Sequence, residues 1–409
     1  MGKLWSHRDF CRLWSGETVE WVTDSITALG IPTIAIKLFS AGPFQMGILN
    51  ALEYLAYPVL GLLAGVWVDR WQRRPVLIWT NILQVAALGS IPVAFLLGIL
   101  SLYQLFIVTL VMGVTVVFFN MAYTAYLPTL IDREDLVEGN SKLETSLSGS
   151  TVVGPAIAGG LINIVGAAQA ITADAFGTLI AAVAILSIRK PEPSPVLKAE
   201  RHFWQELQEG LRSVADIPFL RSLLVATSIL NIGNSMFYAV FLLFIYDELK
   251  ISPELAGVIL AIGGVGFVIG AVAAPNLLKR IGLGASLILA LLINGVGRLM
   301  IPTSTYEPTF ILLSMFWLLA NIGLPIYNIN QVSFRQAIVS DELQGRMNAT
   351  MRTFGYGAMT AGALIGGILG SVYGIITVMV CGSIIALLAV PLIHFGPLGT
   401  LNDTRHTGL

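Results

Sequence analysis

The chain has 409 residues, 56% of them hydrophobic and 11% charged, with a net charge of −1 and a mean hydropathy of +0.80. Soluble domains carry about 25% charge, so composition excludes a water-soluble globular protein and indicates an integral membrane protein. The near-zero net charge says little about partners, and two distant cysteines, Cys11 and Cys381, imply no disulfide framework.

In chain order, twelve apolar runs are long enough to cross a bilayer, near 13–38, 44–68, 75–99, 102–127, 142–165, 168–188, 219–245, 253–278, 283–303, 308–331, 347–371 and 374–395. The first is too long for a signal-peptide core and no small-residue cleavage site follows it, so it reads as a membrane helix. It also carries three acids, in "SGETVEWVTDS" at 15–25. Glu17, Glu20 and Asp24 are spaced i, i+3 and i+7, which places them on one helix face. Counted from Arg12 at about 1.5 Å per residue, Glu17 lies about 7 Å into the membrane and Asp24 about 18 Å, near the midplane.

The second run returns in the opposite direction and brings Glu53 to a similar depth, about 13 Å from its outer end. An acid at the bilayer centre costs about 2.5–3.5 kcal/mol on insertion scales and belongs beside a cavity. Two carboxyl groups at one level suit a group that takes a proton on one side and releases it on the other. Asp24 and Glu53 are therefore the leading proton-coupling candidates, with Glu20 and Glu17 behind them. Glu20 can instead latch a cytoplasmic gate, with Arg346 or Arg352 as candidate partners, and Glu17 can snorkel to water. Asp174 in the sixth run and Arg298 in the ninth lie toward the outer third. Each belongs either to an outer gate or to local polar packing.

Between runs two and three stands "GVWVDRWQRR", with Gly65, Asp69, Arg70, Arg73 and Arg74. Run five carries "GPAIAGG", with Gly154, Pro155, Gly159 and Gly160. The hydrophilic stretch from Arg189 to Asp216 begins Pro-rich and continues with Phe203, Trp204, Leu207, Leu211 and Val214 at helical spacing, the pattern of an amphipathic interfacial helix. It divides the chain into a six-helix bundle over 1–190, a linker over 191–218, a second bundle over 219–396 and a tail over 397–409.

The halves repeat. "LIDREDLVEGNSKLETS" precedes run five and "IVSDELQGRMNATMRTF" precedes run eleven, each followed by a glycine-rich helix, about 200 residues apart. Parallel six-helix repeats are the signature of a transporter that rocks about a midplane site. Basic residues cluster on the side of the termini, from Lys3, Arg8 and Arg12 to Arg352 and Arg405, and the other side has only Lys37 and Lys250. This asymmetry predicts cytoplasmic termini.

Together these features resemble the major facilitator superfamily over nearly the whole chain. The 65–74 segment is similar to that family's G-x-x-x-D-R-x-G-R-R loop, with Gln72 in place of the second glycine. The resemblance implies a cytoplasmic latch, in which Gly65 permits close helix approach, Asp69 meets basic groups or a helix N-terminus, and the arginines tie the loop down. "GPAIAGG" resembles the G-P-x-x-G-G motif of the superfamily's antiporters, with a gap one residue longer. "PTLIDREDLVEGNS", "WQELQEGLRSV" and "DELQGRMNA" resemble the macrolide-efflux and siderophore-exporter group of drug:proton antiporters. In macrolide-efflux members the helix-one positions are mostly neutral, whereas other relatives keep an acid at the Asp24 position, so Glu17, Glu20 and Glu53 point away from a macrolide and toward a cationic cargo or more than one protonation site.

Polar and aromatic residues at mid-depth complete a candidate cavity: Trp21, Tyr54, Tyr57, Asn231, Asn234, Tyr238, Asn321, Tyr327, Asn328 and Gln331. The expectation is an all-α protein of twelve transmembrane helices in two pseudo-symmetric bundles, exporting a small amphiphilic compound such as a drug or siderophore in exchange for protons. The alternative is a divalent-metal transporter using the helix-one and helix-two carboxylates as oxygen ligands. No nucleophile–base set or phosphate-binding loop indicates an enzyme, and no cofactor or nucleic-acid partner is expected. The implied partners are a small-molecule substrate, protons and the lipid bilayer of a bacterial inner membrane, with the chain acting as a monomer.

Overall fold

Inside a bilayer each backbone N–H and C=O must find a partner within its own segment, which leaves long apolar runs one economical form, the helix. The computed structural model is built that way. It describes residues 3–192, 211–212, 214–306 and 309–400, apart from the side chains of Lys3, Leu62, Val66, Asp69, Asp341, Glu342 and Thr400. The helices of the N-terminal half are α1 (Arg8–Phe39), α2 (Pro43–Arg70), α3 (Arg73–Leu96), α4 (Leu102–Leu130), α5 (Leu136–Val165) and α6 (Ala167–Ser187). The C-terminal half starts with α7 (Pro218–Leu243), which runs into a π turn at Phe244–Glu248.

The stretch Pro253–Met300 would be about 70 Å long as one helix, more than twice the roughly 30 Å hydrocarbon core. Gly282, at φ 78°, breaks it into α8 (253–281) and α9 (283–300). Then follow α10 (Thr309–Ile338), α11 (Asp341–Tyr373) and α12 (Ile375–Leu387), the last continued by Ala389–His394. The result is the expected twelve-helix membrane fold with internal repeats.

The repeat is visible in the backbone. Two non-glycine residues adopt positive φ among those described, Ser40 after α1 and Lys250 after α7, 210 residues apart. Gly166 (φ 85°, ψ 153°) joins α5 to α6, and Gly374 (φ 87°, ψ 162°) joins α11 to α12, 208 residues apart. The same sharp turns thus recur at a constant offset, and glycine bears the left-handed geometry at the second pair without steric cost.

The chain packs as two compact units. The first comprises the described parts of Met1–Ala41, Leu55–Lys198 and Ile251–Ala261; the second comprises those of Gly42–Tyr54, Ala199–Lys250 and Ile262–Leu409. In the first, Leu4, Phe10, Leu13, Leu77, Tyr126 and Leu130 form a buried cluster at the end bearing the chain's start. In the second, Leu220, Leu287, Tyr327, Phe334 and Met347 form another, and Leu398 is buried with them. Leu398 falls in the segment expected as a tail, 397–409. The interfacial helix expected around Phe203, Trp204 and Leu207 lies outside the described residues; of its apolar set, Leu211 is exposed and Val214 is buried in the second core.

Each unit contains one seam where helices from different sequence halves meet through glycine. In the first, α5 meets the start of α8: a Cβ on Gly159 would stand 2.9 Å from the Gly257 Cα and 2.6 Å from the Pro253 carbonyl oxygen. In the second, α2 meets α11: a Cβ on Gly47 would stand 2.6 Å from the Gly367 Cα. Gly47 and Gly257 are 210 residues apart, and Gly159 and Gly367 are 208 apart, so each seam is the repeat image of the other. Only hydrogen side chains allow backbones this close.

Candidate functional site

In the first unit α1 packs along α6 through small residues. Gly16 lies against Ala181 and Ala184, and Gly177 lies against Thr23. This close approach joins the acids of the two helices. Glu17, Glu20, Asp24 and Asp174 form one electrostatic set, with Glu20 feeling Glu17, Asp24 and Asp174, and Asp174 feeling Asp24. Asp24 is sixteen residues from the start of α1 and fifteen from its end, at mid-helix.

Glu17 is 1% exposed, and neither of its carboxyl oxygens has a hydrogen-bond partner. Glu20 Oε2 and Asp174 Oδ1 are also buried without one. Thr27 donates to Asp174 Oδ2 from α1, and Thr23 stands beside the same carboxyl group. Asp24 differs: its side chain is exposed on the surface of α1. Tyr123 of α4 stands within electrostatic reach of Glu17, Glu20 and Glu144, and its buried hydroxyl has no partner.

Among the described residues, none of the four acids makes an ion pair. A carboxylate in a low-dielectric interior without a counter-charge either takes a proton or awaits a cation. The set therefore suits exchange between protons and a positively charged ligand. Among the described residues, no group of three His, Cys, Asp or Glu side chains is placed to hold a metal ion.

The structure places Asp174 beside Asp24, and it places Glu53, the partner expected for Asp24, in the second unit, exposed and beside Tyr54. Asp174, expected in the outer third as a gate or a locally satisfied group, lies beside α1 and accepts from Thr27. Arg298 belongs to the second unit, so the two outer-third charges do not share a unit.

Arg298 is fully buried. Its guanidinium lies 4.5 Å from the Tyr238 ring centroid and 5.1 Å from that of Phe237. Its contact with the Asn234 carbonyl, 3.5 Å, is at the limit of a hydrogen bond, and Nε and Nη2 are unpartnered. Arg335, also buried, stands near Tyr327 and Arg352.

Several candidate cavity residues prove to tie helices together. Asn120 donates to Tyr57 at 2.8 Å, and Asn231 donates to the Gly355 carbonyl at 3.1 Å. Tyr327 shares a 2.8 Å bond with Thr227, and Asn321 bonds back to the Trp317 carbonyl on its own helix. Trp21 is half-buried against the first core, Asn328 is exposed, and the buried Gln331 Oε1 is unpartnered. Tyr54 lies 6.2 Å from Tyr356 between ring centroids, and Tyr238 packs edge-on to Trp317 at 5.8 Å.

The 65–74 segment is tied down by residues the sequence did not single out. Glu192, just past α6, accepts from the N–H groups of Arg73 and Arg74 at 2.7 and 3.0 Å and so caps the start of α3. The Arg73 guanidinium lies 3.6 Å from Glu192. Arg74 donates to the carbonyls of Ile185 and Leu186, and Arg12 to that of Ser187, so both close the C-terminal end of α6. Asp9 accepts from the N–H groups of Arg189 and Lys190. An acid one residue into "PEP", straight after a helix end, was the available signal for Glu192. The Asp69 side chain lies outside the described residues, Arg70 is exposed, and Gly65 meets nothing within 4 Å of a notional Cβ. In "GPAIAGG", Gly154 faces Ser25 of α1, Gly159 forms the α8 seam, and Gly160 faces open space.

Twelve membrane helices in two repeated sets are the architecture of the major facilitator fold. The chain belongs to the transmembrane secretion effector family, whose model matches residues 5–407. It is 29% identical over 206 residues to macrolide efflux protein A of Streptococcus pyogenes, covering 49% of this chain and 50% of that protein. The match thus spans about half the length of that relative. It is 24% identical over 372 residues to the multidrug efflux pump Tap of Mycolicibacterium fortuitum, covering 86% and 87%. Among solved structures, the nucleoside transporter NupG superposes with a TM-score of 0.77 at 12% identity, covering 95% and 98%. A bacterial homologue of the iron transporter ferroportin, inward-facing, superposes with a TM-score of 0.75 at 17% identity, covering 96% and 98%. At those identities the likeness is one of fold.

Proposed function

We propose that the protein exports a small amphiphilic compound, drug-like or siderophore-like and cationic by preference, in exchange for protons. The observation that carries this reading is the convergence of Glu17, Glu20, Asp24 and Asp174 in one unit without a single ion pair among the described residues. Relatives named as macrolide and multidrug efflux proteins support the export direction and the cargo class. Asp24 is the exchange point, because it stands at mid-helix and is the most exposed acid of the set. Asp174 and Glu20 tune its affinity for a proton, and Glu17 is a second proton store. Glu53, on the other unit, contributes a further titrating group. The halves over 1–190 and 219–396 rock about this level, and the glycine seams α5–α8 and α2–α11 are contacts made and broken in the cycle. The chain sits in the bacterial inner membrane with both termini in the cytoplasm.

The test is transport in proteoliposomes under an imposed pH gradient, with a panel of cationic, neutral and anionic amphiphiles. Accumulation of a cation that collapses when the gradient is dissipated supports the proposal. Accumulation that ignores the gradient removes proton coupling, and a panel without any transported member removes the cargo class.

A further inference from the structure

On the first unit, α2, α3 and α4 leave a groove of about 660 Å³, lined by Trp67, Arg70, Trp71, Trp79, Leu83 and Phe118 among others. It is remote from the acid set in sequence and chemistry. The rings of Trp67, Trp71 and Phe118 lie 6.1–6.4 Å apart between centroids, with planes within 23° of one another, and form one aromatic wall. Trp67, Trp71 and Trp79 are 40%, 48% and 65% exposed. An exposed apolar patch of this kind marks an interaction surface, and tryptophan is favoured where hydrocarbon meets headgroups.

Two dimensions narrow the occupant. The lining runs from the Arg70–Gln72 turn to Leu83, ten residues into α3 and so about 15 Å deep, which is half of the roughly 30 Å hydrocarbon core, or one leaflet. The apolar length ends at one guanidinium. Arg70 is exposed and makes no ion pair among the described residues, whereas Arg73 and Arg74 beside it are engaged by Glu192 and the α6 carbonyls. An anionic phospholipid of the cytoplasmic leaflet matches both: one acyl chain in length, one phosphate in charge. A zwitterionic lipid brings its own ammonium to compete with Arg70, and a cationic amphiphile is repelled there.

The geometry points to a bound anionic phospholipid, with an acyl chain along the Trp67–Trp71–Phe118 wall and Trp79, and its phosphate on Arg70. Native mass spectrometry of the full-length protein, released from micelles with equal amounts of phosphatidylglycerol and phosphatidylcholine, tests this. The expected result is retention of phosphatidylglycerol over phosphatidylcholine by roughly fivefold, the worth of one basic residue at an anionic surface. Arg70→Gln should remove the preference and Arg70→Lys should keep most of it. Arg280→Gln, a basic residue exposed in the second unit, should leave it unchanged, and Trp71→Leu with Trp79→Leu should lower retention of both lipids. Equal retention of the two lipids by the unaltered protein overturns the proposal. So does a preference that survives Arg70→Gln, or displacement of the retained lipid by an equimolar cationic dye, which would make the groove a cargo site.

Discussion

The interiors of the two units carry opposite charge on one repeated backbone. The first buries Glu17 and Asp174, with Glu20 half-buried and Asp24 exposed beside them, and no cation is paired to any of the four; the second holds Arg298 and Arg335 buried with no acid paired to them, among the described residues. Counting back sixteen residues from the matching turn residues Ser40 and Lys250 lands on Asp24 and Asn234, with the π turn in α7 shifting that register by at most one residue. Where α1 places an ionisable carboxyl group, α7 places its uncharged amide counterpart, next to Arg298. The repeat explains the helices, turns and seams. It does not explain the charges, which distinguish the halves and so mark where a directional task departs from symmetry.

The strongest way to break the comparison is to make the first unit as uncharged as its repeat. Asp24→Asn should uncouple transport from the pH gradient, and adding Glu20→Gln and Asp174→Asn should leave nothing further to lose. The expected loss of gradient-driven accumulation is about 5- to 150-fold, the usual span of a coupling free energy between two ligands. The measurement is uptake by proteoliposomes with and without the gradient. Full coupling in the triple variant would show that the acids are structural.

That prediction rests on a site the sequence showed only in part. Three of the four acids were legible because an i, i+3, i+7 spacing puts them on one face whatever the tertiary structure. Asp174 was not, because depth counted from a span's end ignores how α6 lies against α1, and only the packing of Gly177 on Thr23 reveals it. Twelve spans were legible because hydropathy is local. Glu192 and Asp9 escaped because each acts on backbone N–H groups far away in sequence, and capping across more than a hundred residues leaves no periodic trace.

The seams are a second point of attack, since they are the repeat at its most faithful. Gly159→Val in the first unit and Gly47→Val in the second should each destabilise the seam by about 1–3 kcal/mol, the usual cost of overpacking, because the atoms in the way are backbone. Gly160→Ala should cost far less, as its Cβ meets nothing. Thermal unfolding followed by tryptophan fluorescence, with transport alongside, checks all three. An equal tolerance of valine at Gly159 and alanine at Gly160 would mean the seam opens freely in the resting protein.

The clamp at the end of α6 tests whether the first unit depends on its connector. Glu192→Gln keeps the shape but weakens two charge-assisted bonds to the α3 N-terminus, an expected cost of about 1 kcal/mol, toward the low end because an amide oxygen still accepts. Protease sensitivity of the connector after Lys190 is the readout. A loss matched by Glu192→Ala alone, with Gln unaffected, would assign the clamp to hydrogen bonding and not to charge.

The smallest effect is expected where the charge looks most costly. Arg298→Met removes cation–π contacts with Tyr238 and Phe237 worth about 0.5–2 kcal/mol. It also removes the desolvation of a guanidinium whose Nε and Nη2 have no hydrogen-bond partner, a penalty of several kcal/mol even after relaxation. The two terms oppose each other, so thermal stability should stay level or rise. If it rises while transport falls, Arg298 is kept for function, and the positive interior of the second unit is as purposeful as the acidic interior of the first. If stability drops by more than the cation–π contribution, the guanidinium has found acceptors through water and is a structural tie. The opposition of the two interiors would then reduce to the acids of α1 and α6 alone.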